Sequence, residues 1–238
     1  MNTVYRRGFD LAPRTAGPAT KWLSLSMILA TVVFSITQRQ LGFGVVDLLY
    51  SVPEIFAGQL WRLLSYPFVE TSGFSLILGV LVFYLFAKSF EERWGTRDFL
   101  QFVALSALGA AILAIPVRFV LNFLGLFNDV GQSAGPGPII DAMLVALALT
   151  APNAKVLFGF VLPMRATTMV YVFIGIEVLR ALVDGSTTLS LTLGGLAMGY
   201  ILITGIWRPD RWGSLFNRKP KRRRGLYVVP PKKDHTLH

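Results

Sequence analysis

Six apolar runs set the terms on which this chain can fold: Trp22 to Thr37, Phe74 to Phe90, Phe99 to Pro116, Gly137 to Ala151, Thr167 to Val183 and Leu189 to Ile206. The chain is 53% hydrophobic and only 15% charged, where a soluble domain carries about 25% charged residues. That deficit makes lipid the solvent and the runs transmembrane helices. Several fall short of the ~20 residues a bilayer crossing ordinarily takes, so their flanks extend them or the membrane thins around them. The first run has the length of a signal-peptide core, but Gln38-Arg39-Gln40 follows it instead of a small-residue cleavage pattern. It is therefore expected to be a retained span.

Six spans put both termini on one side, and the distribution of cations says which. The basic connections are the N-terminal segment (Arg6, Arg7, Arg14), the turn after the second run (Lys88, Arg93, Arg97), the fourth-to-fifth connection (Lys155, Arg165) and the tail. From Arg208 onward, ten Lys/Arg stand against two Asp and supply +8 of the net +10. By the positive-inside rule the termini are cytoplasmic. Three regions follow: a polar segment over 1–20, broken by Pro13 and Gly17-Pro18; an all-α, six-helix membrane domain over 21–207; and a basic, disordered tail over 208–238. Lys219-Pro-Lys-Arg-Arg-Arg224 is an orientation signal that also attracts anionic lipid headgroups. It lacks the interleaved aromatic residues of a nucleic-acid platform, so no nucleic-acid partner is expected. A tail this basic, with no sorting motif, suggests a bacterial inner membrane.

The residue inventory restricts the chemistry. Cysteine is absent, and the two histidines, His235 and His238, lie in the last four residues. The apolar body thus contains no thiol and no imidazole, and neither a metal nor a cofactor is expected.

Between the runs stand recognisable motifs. Trp61-Arg62 occurs in the long first loop, residues 39–72, after an amphipathic stretch around Val45–Phe56. Ala87-x-x-x-Glu91-x-x-x-Gly95 closes the second run, and Gly195-x-x-x-Gly199 lies in the sixth. In order, spacing and placement these resemble the rhomboid family, with Ala87 in place of a glycine. The resemblance covers residues 20–207. It implies a six-helix bundle and an intramembrane serine endopeptidase with a Ser–His dyad, the serine requiring its base within hydrogen-bond reach.

Carried over residue by residue, that machinery is missing. The nucleophile position falls on Gly137 within Gly135-Pro136-Gly137-Pro138, and the base position on Thr192. The oxyanion positions fall on Ser75 and Gly79. A one-residue slip would make Ser133 the nearest serine, but no register supplies a histidine. Catalytically dead members of this superfamily bind membrane clients, so the resemblance implies recognition of a client's transmembrane segment, beside the second and fifth spans. Two alternatives stay open at this point. One is an active intramembrane endopeptidase using non-standard residues; the other is a transporter or lipid-handling protein with Asp141 on a polar path.

Acidic residues in apolar runs are costly and often functional. Asp141 stands one helical turn after Gly137 on the same face, which suggests a polar contact between Asp141 and Thr192 where the dyad would be. Asp141 and Glu177 do not meet the Gly-x-Gly-Asp pattern of aspartyl intramembrane proteases. Lys88 and Ser89 are adjacent, and neighbours on a helix point about 100° apart. Glu177 and Arg180 are spaced to pair along one helix.

Overall fold

The computed structural model describes residues 16–125, 132–152, 155–158, 162–184 and 189–205. The first fifteen residues, the basic tail with both histidines, and the side chains of Glu177 and Arg180 lie outside the described residues. The chain is mostly helical. The long helices are α1 (Pro18–Leu41), α4 (Gly73–Trp94), α5 (Thr96–Phe123), α6 (Gly137–Thr150), α7 (Ala166–Asp184) and α8 (Leu189–Thr204). Between α1 and α4 the chain forms a 3-10 turn at Val45–Leu48, then two short helices, α2 (Val52–Phe56) and α3 (Arg62–Ser65).

These helices coincide with the six apolar runs, with instructive differences at their ends. Gly17-Pro18, expected to break a helix, starts one: Gly17 is the N-cap of α1 and Pro18 its first residue. Proline is tolerated there because its missing N–H would have no partner in the first turn. Pro116 sits inside α5, which continues to Phe123. The expectation of helices alone is corrected between α6 and α7, where β1 (Lys155–Phe158) pairs with β2 (Leu162–Arg165) in an antiparallel hairpin, Lys155 opposite Arg165. A short return through polar backbone satisfies its N–H and C=O groups by this pairing. By length and composition α1, α4 and α5 can each cross a membrane, whereas α6 and α8 are shorter apolar helices.

Burial follows from how the helices pack. α8 lies between α5 and α6, and α7 packs on α6. A core of Phe83, Phe86, Phe90, Phe99 and Phe102 meets Ile139, Met143, Leu144 and Leu147 of α6. The contact of α8 is made by backbone. A Cβ on Gly194 would overlap the Ala110 carbonyl, one on Gly195 the Pro138 carbonyl, and one on Gly199 would come within 2.6 Å of the Ala142 carbonyl oxygen. Because Gly195 faces Pro138 and Gly199 faces Ala142, α6 and α8 run parallel. Glycine is required for this approach, since lipid supplies no hydrophobic force between helices and association rests on close packing.

Gly199→Ala should therefore loosen α8 from α6, by about 1–3 kcal/mol if it behaves as other overpacked sites do. Thermal unfolding in detergent should show a lower midpoint than for the wild type. Equal midpoints would mean that α8 does not depend on this contact.

Candidate functional site

Two buried ions tie the bundle together, one near each end. Glu91, in the last turn of α4, accepts hydrogen bonds from the Ala19 amide at 3.0 Å, the Thr20 amide at 2.8 Å, the Thr20 hydroxyl at 2.7 Å and the Thr96 hydroxyl at 2.8 Å. Its carboxylate thus caps α1 from another helix, where orphan amides and the helix dipole favour negative charge. Gly17 makes room for it: a Cβ there would overlap the Glu91 carboxylate. Gly95, at φ +82°, joins α4 to α5 through a backbone conformation that favours glycine. At the other end Arg62 is buried and donates to the Val46 and Leu49 carbonyls, both at 2.8 Å, and to Gln59 Oε1 at 2.7 Å. Trp61 Nε1 donates to the Asp47 carbonyl at 3.2 Å. The Trp-Arg pair is a staple for the first loop.

The residues onto which the rhomboid resemblance carries a nucleophile lie at the head of α6. Gly135, at φ +95°, donates its amide to the Tyr66 carbonyl at 2.9 Å. Gly137 is exposed, and a Cβ built there would have no neighbour within 4 Å. Ser133, the nearest serine, is buried and exchanges both backbone hydrogen bonds with Tyr50. Ser75 bonds the Ser72 side chain at 2.9 Å and belongs to the N-cap of α4. Gly79 faces Glu70 and Pro136, each 3.4 Å from where its Cβ would be.

Asp141 and Thr192 are both buried, on adjoining helices, and the parallel register sets them at different levels. Thr192 precedes Gly195 by three residues, while Asp141 stands beside Ala142, opposite Gly199. Their levels differ by about 9 Å along the helix axes. Asp141 lies instead near Tyr66. Burial first, then the nearby Tyr50 and Asp141, push the Tyr66 phenol above its ordinary range.

Sequence reasoning missed Glu70. Its side chain occupies the notch left by two glycines: a Cβ on Gly135 would overlap its carboxylate, and one on Gly79 would stand 3.4 Å from its Oε1. Its own amide donates to Thr31 Oγ1 at 3.2 Å. Burial raises its carboxyl above the usual range, opposed by the Thr71 amide. Glu70 also lines an open groove of about 570 Å³ between α1 and the start of α4, together with Thr31, Ser35, Gln40 and Ser72. In sequence, Val69-Glu70-Thr71-Ser72-Gly73 reads as an ordinary polar lead into a helix.

Replacing Glu91 by Gln keeps its size but turns an amide N–H₂ toward groups that donate. The loss should be about 1–3 kcal/mol, seen as a lower unfolding midpoint in detergent. Gly17→Ala should give a similar loss, and the double variant should fall short of the sum, because both act on one contact. Full additivity would dissociate Gly17 from the cap.

One comparison bears on kinship and host. A family model described as "Eukaryotic integral membrane protein (DUF1751)" matches residues 21–204. The match runs from within α1 to the last residue of α8. It overturns the bacterial inner membrane expected from the basic tail, since the family is described as eukaryotic. Clustered cations report which side of a membrane a segment occupies, and they do so in any host. With well over half of its length matched, the chain belongs to this family of eukaryotic integral membrane proteins.

Proposed function

We propose that this protein is a rhomboid-like pseudoprotease that crosses the membrane six times, keeps both termini in the cytoplasm, and recognises transmembrane segments of client proteins without cutting them. The observation that carries this reading is Gly137. At the nucleophile position it offers no side chain and faces open space, while Thr192 is buried on the neighbouring helix and no histidine precedes residue 235. A nucleophilic serine needs its base within hydrogen-bond reach, and here neither group is present.

Further features support the reading. The parallel register of α6 and α8, with α7 between them in sequence, suits three successive crossings. α1 starts where α4 ends, at Glu91, so the start of α1 shares a side with Arg93 and Arg97, and the positive-inside rule favours a cytoplasmic assignment for that side. α4 and α7 both pack on α6. Each also turns large apolar side chains outward: Phe74, Ile77 and Leu78 from α4, Tyr171 and Leu179 from α7. A client helix would be met by these faces, and the basic tail would attract anionic lipid headgroups.

The test is proteolysis in liposomes with a helix-destabilised transmembrane substrate, beside an active rhomboid. The wild type should yield no product. The triple variant Gly137→Ser, Pro138→Gly, Thr192→His restores the missing groups, and product from it would establish the site. Cleavage by the purified wild type that survives removal of contaminants would sink the pseudoprotease reading.

A further inference from the structure

The Glu70 groove has a feature that the client-recognition reading does not use. It runs along α1 from Gln40 to Thr31, nine residues or about 13 Å of helix. Its lining combines hydroxyls and an amide with the apolar Val32, Ile36 and Leu76. At its deep end sits Glu70, anchored to Thr31 through its backbone. Among the described side chains no cation lies within ion-pair range of its carboxylate. The two glycines at 79 and 135 hold open the space the carboxylate occupies.

Depth decides what such a groove would take. The stretch of α1 able to cross the membrane is Pro18–Gln38. Thr31 is seven residues inside its outer end, or about 10 Å below it. Lipid headgroups stay at or above that end, because the hydrocarbon core begins there. A side chain carried on another transmembrane helix reaches this depth as a matter of course. The chemistry that suits a carboxylate there is a cation, and a Lys or Arg within a span costs about 2.5–3.5 kcal/mol if left unpaired.

Resting on the client-recognition reading, we propose that Glu70 selects among clients: the groove between α1 and α4 docks a transmembrane helix whose span carries a Lys or Arg one to two turns inside its outer end, the cation pairing with the Glu70 carboxylate. The polar lining solvates the incoming cation, and Val32, Ile36 and Leu76 meet the apolar flanks of the client helix.

The test uses the full chain in phosphatidylcholine liposomes with three labelled Leu/Ala transmembrane peptides. They differ only at a position two turns inside the outer end, which holds Lys, Leu or Glu. Binding is read by energy transfer. The Lys peptide should bind best, and Glu70→Gln should weaken it about ten-fold while leaving the Leu peptide unchanged. Glu70→Lys should transfer the preference to the Glu peptide, an exchange that misfolding cannot produce. Peptides that bind alike to wild type and both variants would overturn the selection by Glu70 and leave client recognition standing. If no peptide binds, client recognition fails and the selection with it. Loss of the Lys peptide when phosphatidylethanolamine is added would assign the groove to lipid amines and also overturn the proposal.

Discussion

Everything inside the bundle depends on how closely α8 approaches its two neighbours. Gly194 lies against the backbone of Ala110 in α5, and Gly195 and Gly199 lie against Pro138 and Ala142 in α6. In water such helices could be pressed together by burial of apolar surface. In lipid the surroundings are as apolar as the side chains, so association rests on packing and on weak polar contacts at short range. Three glycines in six residues supply that range on both sides of one helix. The register they impose then settles where polar groups can stand. It puts Asp141 and Thr192 at different levels and leaves the head of α6 with an open position at Gly137.

The polar groups that are buried follow one rule. Glu91 is satisfied by two amides and two hydroxyls, and Arg62 by two carbonyls and a side-chain amide. Each ion is neutralised by dipoles of the chain. Leaving a buried charge without hydrogen bonds would cost several kcal/mol, and a dipole cage avoids holding two opposite ions in a medium where each must be desolvated. The cages also do mechanical work. Glu91 binds the start of α1 to the joint between α4 and α5, and Arg62 folds the first loop back on itself. The motif residues on which the resemblance to rhomboids rests are thus explained by architecture alone.

Much of this was legible in the sequence, for physical reasons. Apolar runs are bounded by polar residues at helix ends, so the helices emerged within about four residues of their limits, except that α5 runs on past Pro116 to Phe123. Spaced glycines on an apolar helix announce close packing, and Gly195 and Gly199 do pack closely. Other features were hidden because they depend on partners distant in the chain. Gly17-Pro18 looks like a breaker until Glu91, over seventy residues away, is seen to cap the helix it begins. The β1–β2 hairpin arises from a return whose apolar sequence, Val156-Leu157-Phe158, fits a helix as readily as a strand. Asp141 and Thr192 look like partners only if the register of α6 on α8 is assumed. Glu70 is set off by nothing local, since its notch is built from Gly79 and Gly135.

The contrast between Asp141 and Glu70 bears most directly on function. Both are carboxylates close to the head of α6, Asp141 in its second turn and Glu70 against Gly135 just before it. Asp141 is enclosed, packed in α6 among aliphatic side chains and close to Tyr66. A group so enclosed can stabilise a fold but cannot greet a partner without opening it. Glu70 is half-buried and lines an open groove between α1 and α4. Its surroundings hold it in place without covering it. On the pseudoprotease reading, no chemistry calls for a carboxylate with an exposed approach at this depth, where charge is costly. Its presence is accounted for if something arriving through the membrane offsets that cost, and a client helix bearing a cation is the arrival that the depth of the groove admits.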